Sequence, residues 1–211
     1  MTAPRDQEID HRVLKLMVGL IGLFLASITS YFSGGTILSI SESHCYGGWA
    51  RDFFVGAMFA IAAFMAAYNG FSRTEMLVAK VTAVAAIGVA WFPMRCPTRD
   101  EIVPGAHVVS AIIMFAMLAT LCRIFYLRAK SHGLPGSDRR ARLYAICGVA
   151  ILASMSLVVA DSVLGGPIKA IIPRLEFYCE ELALIAFAVA WLAASHIVPW
   201  ITAPEERWIR R

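Results

Sequence analysis

VLKLMVGLIGLFLASITSYFSGGTILSI, from Val13 to Ile40, carries no charge after Lys15, and the next charged side chain is Glu42. A helix rising 1.5 Å per residue crosses the ~30 Å hydrocarbon core of a bilayer in about 20 apolar residues, so this run is long enough to span. It is too long for the apolar region of a secretory signal and lacks a small-residue cleavage site. It reads as a first transmembrane helix.

Five more runs of the same kind follow, at about 53–71, 76–94, 104–125, 143–160 and 172–200. They are continuously apolar, whereas strands of a membrane barrel alternate over about 10 residues. The spacing therefore predicts an all-α fold, a single polytopic bundle of six transmembrane helices over residues 1–211. Composition agrees: 59% of the chain is hydrophobic and 16% charged, against roughly 25% charged in a soluble domain.

Lys and Arg set the expected orientation. One side would collect the N-terminus, the turn near Arg73, the 128–142 loop and the C-terminal tail, with 14 of the 19 basic residues. The other side keeps Arg51, Arg95, Arg99, Lys169 and Arg174. The positive-inside rule then predicts cytoplasmic N- and C-termini. The net charge of +4 reads as topology and attraction to anionic lipid, not as nucleic-acid binding. Trp200 and Trp208 fit an interfacial aromatic belt. The cytoplasmic loops are expected to do nothing beyond orientation and solubility, although the tail APEERWIRR could lie on the membrane surface.

The unusual residues fall on the outward side: Glu42, His44, Asp52, Asp100, Glu101, His107, Asp161, Glu176, Glu180 and Glu181. Glu180 and Glu181 lie seven and eight residues past Pro173, roughly 10–12 Å along the helix. Ionisable groups at that depth are costly, face a bundle interior and mark functional sites by default. If spans two, four and six converge, Asp52, His107 and Glu180 line one outward cavity, with Arg51, Arg95 and Arg174 as counter-charges. Plainer roles stand beside this. Asp52 at a helix start could pair with Arg51 or Arg174, His107 could make one internal hydrogen bond, and the two glutamates could pair with Arg95 or Arg174. His196 reads as interfacial, and His11 and His132 belong to polar segments.

No strong metal motif occurs, since HExxH, CxxC and HxxxH are all absent. His44, His107 and Glu180 are weak metal candidates, and no cofactor is indicated. Cys45 and Cys96 both fall in outward loops, where an oxidising compartment permits a disulfide. The alternative is two free thiols, Cys45 pairing with His44 as a weak ligand set. Gly19, Gly22 and Gly56 are small residues suited to close helix packing.

SISESHCYGGWARDFFVGAMFAIAAFMAAYNGF (Ser39 to Phe71), AWFP (Ala90 to Pro93) and the outward His107 resemble a group of bacterial six-span membrane proteins without an assigned activity. The resemblance implies a bacterial cytoplasmic membrane. More distantly, the chain is similar to the six-span class of GPI-lipid remodelling factors and autophagy modulators. His44 and Asp52 also resemble part of the CREST metal-hydrolase pattern, in which a Ser and His on one span and an Asp on the next join an HxxxH pair on a seventh. Here the last span has a single His196, at its other end, and the spans number six.

The expected function is to bind a lipid headgroup or small amphiphile in an outward polar cavity. The alternatives are a membrane-embedded lipid hydrolase, metal-dependent or not, and a small transporter or assembly subunit working with other membrane subunits.

Overall fold

A computed structural model describes residues 11–35, 37–96, 101–132 and 137–195; of these, 82% are helical and none lies in a strand. Six helices are long and apolar enough to cross a membrane: α1 (His11–Phe32), α3 (Gly48–Ala67), α4 (Arg73–Trp91), α5 (Ala106–His132), α6 (Ser137–Val163) and α8 (Leu175–Ala194). Two short helices, α2 (Ser43–Tyr46) and α7 (Pro167–Ile171), lie in the connections. The protein is an integral membrane protein of the all-α class.

The long helices form a closed ring. Each packs on its neighbour in sequence, α8 returns to α1, and α5 touches α8 across the middle. One end, the basic end, has the start of α1, the α3–α4 and α5–α6 turns and the end of α8. The other, the disulfide end, has α2, α7 and the segment after α4.

Small residues bring the helices together, as expected where lipid tails remove the hydrophobic drive between them. A side-chain carbon on Gly19 would lie 2.7 Å from Leu192, and one on Gly22 would touch Phe187 on α8. Gly88 meets the Ser110 hydroxyl between α4 and α5. Gly56, which the sequence suggested for the same role, faces open space.

The first helix ends at Phe32 rather than continuing to Ile40. Gly34 and Gly35 take positive φ (82° and 80°), a conformation open to glycine, and Gly35 N–H closes the helix by donating to Ser30 O at 2.7 Å. The chain then turns back into the mouth of the ring, where Ile37, Ser39, Ile40, Ser41 and Ser43 are buried. The apolarity of residues 37–40 thus belongs to a loop packed inside the bundle, which hydropathy alone cannot tell from a span. At the other extreme α5 and α6 outrun their expected limits, and Arg128 on the last turns of α5 points inward to Glu75. The sixth helix ends at Ala194, and His196, Trp200 and Trp208 lie outside the described residues, as do Arg99 and Asp100.

Candidate functional site at the disulfide end

The inserted 37–44 loop is held from three sides. Arg174 donates through Nε to Ile37 O (3.0 Å) while its guanidinium stacks on Phe177, 4.1 Å from the ring centre. Phe177 N–H donates to Leu38 O at 3.0 Å, and Leu38 N–H donates to Glu42 Oε2 at 2.5 Å. Cys45 and Cys96 form a disulfide that ties the end of α2 to the segment after α4, so the expected pairing is present.

The third hold is Glu180. Its carboxylate accepts from Ile40 N–H at 2.5 Å, from Ser39 Oγ at 3.0 and 3.1 Å, and from Ser41 Oγ at 3.4 Å. Every one of these donors is neutral, and no cation among the described residues reaches it. Beside Glu180 and Ser41 lies an interior cavity of about 20 Å³, walled by Phe54, Met58, Val89, Met114 and Leu184. That is room for about one water molecule.

The other sequence candidates separate. Asp52 is exposed and bonds to its own neighbour Arg51, at 3.1 and 3.2 Å, away from the ring's interior. Arg95 is exposed beside the disulfide. Glu181, half-buried on the α8 face that carries Leu184 and Ala188, has no partner among the described residues. Glu101 caps the start of α5 through Gly105 N–H (2.7 Å), Asp161 caps α7 through Ile168 N–H (2.7 Å), and Glu176 pairs with Lys169 (2.7 Å).

His107 is buried but bonds to Phe92 O rather than to Glu180, with Nδ1 at 2.8 Å. A carbonyl only accepts, so Nδ1 carries the proton, and in the neutral ring Nε2 is the unprotonated nitrogen. That nitrogen is buried without a hydrogen-bond partner among the described residues. Its neighbour is His44, ring centres 5.8 Å apart, which donates through Nε2 to Val89 O at 3.2 Å. No set of three or more His, Cys, Asp or Glu side chains is close enough to hold a metal among the described residues, and both cysteine sulfurs near His44 are used in the disulfide.

The basic end holds a cluster that sequence reasoning missed. Glu75, fully buried, accepts from Tyr68 Oη (2.5 Å), Phe71 N–H (2.9 Å) and the Arg128 guanidinium. Burial first, and then the adjacent carboxylate, push the Tyr68 phenol above its usual range, so it stays a donor. Lys15 donates to Ala194 O at 3.2 Å, and its ammonium lies 5.4–5.5 Å from the ring centres of Tyr68, Phe71 and Phe125. Trp191 packs on Tyr68, Phe125 and Phe187, each 5.3 Å away between ring centres. The basic end therefore carries more than loops. The available signal was a Glu directly before an apolar span, but Ser72-x-x-Glu75 reads equally as a helix start, and Ser72 does cap Glu75 N–H at 3.1 Å.

No family model, no curated protein and no solved structure matches this chain.

Proposed function

We propose that this membrane protein binds the cationic headgroup of an amphiphile at its disulfide end, with Glu180 as the recognising carboxylate and the 37–44 loop as the element that yields to admit it. The observation that carries the reading is a carboxylate within the bundle served, among the described residues, only by neutral donors. An anion placed in a span without a cation marks a binding or transfer site by default, and an ammonium group supplies the missing charge. The donors that now satisfy Glu180 all come from one loop, which has no regular helix or strand of its own between Ile37 and Glu42. A headgroup amine takes over those bonds as the loop lifts. The water-sized space beside Glu180 favours a second reading, a proton as the exchanged cation in a small transporter.

Native mass spectrometry of the purified protein with phosphatidylethanolamine tests the first reading. Glu180→Gln is expected to weaken retention about 10- to 100-fold, the worth of one charge-assisted hydrogen bond, with thermal stability close to wild type. Glu181→Gln should change retention little. Retention unchanged in Glu180→Gln, accompanied by a large loss of stability, would make the residue a latch for the loop and nothing else.

The orientation belongs to the same proposal, with both termini cytoplasmic in a cytoplasmic membrane and Glu180 near the outer surface. Cys122, Cys147 and Cys179 are buried and leave a quiet background for labelling. Trp49→Cys, at the disulfide end, should react with an impermeant maleimide on intact cells. Asp138→Cys, exposed at the basic end, should react only after permeabilisation. The reverse pattern overturns the orientation.

A further inference from the structure

We propose that the groove between α5 and α6 is a specific site for an anionic phospholipid of the leaflet at the basic end, with Arg123 receiving its phosphate. α6 buries the smallest share of its span, 28% against 39–61% for the other five helices. Two cavities run end to end along its contact with α5. The one nearer the basic end, of about 300 Å³, holds Thr120, Arg123, Tyr126 and Tyr144; the other, of about 580 Å³, continues toward the disulfide end. Ala116 and Leu152 line both, so the two form one groove. Past its polar mouth the groove is lined by apolar side chains, Gly148 and Ser156 apart. Its depth comes from small residues, Ala116 and Ala119 on α5 facing Ala145 and Gly148 on α6.

Charge picks the occupant. Arg123 is exposed at the groove, and no acid among the described residues pairs with it. The nearby Asp138 is committed to Lys130 at 2.9 Å. Arg142, also exposed, stands one turn before Ala145 on the same face of α6 and adds a second cation. Arg123 lies nine residues short of the end of α5, about 14 Å along its axis, and its flexible stem lets the guanidinium reach phosphate level while its methylenes stay in the apolar groove. A basic pocket between membrane helices at the positively charged face is the arrangement that selects anionic headgroups. The α4–α5 groove offers a contrast. It is of similar size, about 660 Å³, but its one cation, Lys80, is already bonded to Ala66 O and to Asn69 Oδ1 at 3.1 Å. The α5–α6 groove has acyl-chain room and an unneutralised cation together.

The experiment reconstitutes the full chain in bilayers of equimolar phosphatidylglycerol and phosphatidylcholine, extracts it gently and counts retained lipid by native mass spectrometry. Wild type should keep phosphatidylglycerol over phosphatidylcholine by about fivefold or more, one basic contact's worth. Arg123→Gln should abolish the preference, and Arg123→Lys should keep most of it. Ala116→Phe, which fills the middle of the groove without touching charge, should lower retention of phosphatidylglycerol at least as much. Glu180→Gln should leave it unchanged, which separates this site from the one at the disulfide end. Equal retention of the two lipids by wild type overturns the site, and so does a preference that survives both Arg123→Gln and Ala116→Phe.

Discussion

Glu75→Ala is expected to cost about 3–5 kcal/mol of stability, the range for removing one partner of a buried ion pair. Taking the carboxylate away strands three donors at once: the Tyr68 hydroxyl, Phe71 N–H and the Arg128 guanidinium. Arg128 retains the Phe71 ring beneath it, 4.5 Å from its guanidinium carbon, and is partly exposed, so some of its charge can turn toward the membrane surface. Tyr68 has no such escape, being fully buried against Trp191. Glu75→Gln should be milder, because its amide oxygen still accepts from Tyr68 or Phe71. The double replacement Glu75→Leu with Arg128→Leu should cost less than the sum of the single ones, since it leaves no uncompensated charge. Thermal or denaturant unfolding in detergent measures wild type and each of these variants. A Glu75→Ala protein within about 1 kcal/mol of wild type would mean that Tyr68 and Arg128 do not need the carboxylate.

That cluster and the Glu180 site differ in a way that bears on function. At the basic end the buried acid meets a guanidinium, and four aromatic side chains (Tyr68, Phe125, Phe187 and Trp191) pack into one cluster; this end is built to stay shut. At the disulfide end the acid meets one loop and no cation among the described residues. Moving the loop away from Glu180 exchanges the hydrogen bonds from Ser39, Ile40 and Ser41 and separates Glu180 from no cation among the described residues.

Much of the architecture could be read from the chain because a bilayer permits few solutions. Six long apolar runs force six helices, and two cysteines in facing loops leave one pairing available. Glu180 could be located by its depth, since counting residues from Pro173 needs no tertiary information. Its partners could not, because Ser39 and Ile40 lie about 140 positions away and were hidden in what looks like the end of a span. Asp52, His107 and Glu180 each sit near a helix start, but helical periodicity fixes angles within one helix only. It does not fix how each helix turns relative to the ring, and that rotation sends Asp52 outward to Arg51 and His107 toward His44. Glu75 escaped for a different reason: one residue serves as a first-turn acid and as a buried anion, and local sequence shows only the first role.

Replacing both Cys45 and Cys96 with Ser is expected to destabilise the protein by about 2 kcal/mol, below the roughly 4 kcal/mol that loop entropy assigns to a bridge of this span in a soluble chain. The two cysteines are 51 residues apart, with α3 and α4 between them. Once those two helices have inserted, their disulfide-end termini already lie at the same membrane surface, so the bridge removes less freedom than chain length suggests. The remaining effect should concentrate in α2 and the loop before it. His44 sits there, buried next to the disulfide, 5.2 Å from the Phe54 ring centre and bonded to Val89 O. Loosening α2 releases that anchor and, a few residues upstream, the Ser39, Ile40 and Ser41 donors to Glu180. Reductant should therefore lower the unfolding midpoint of wild type and speed proteolysis within residues 37–46, while leaving the double Ser variant unmoved. Complete alkylation of both thiols without reductant would show that no bridge forms. A midpoint insensitive to reductant in a protein shown to be bridged would mean that the loop is held by Arg174 and Glu180 alone.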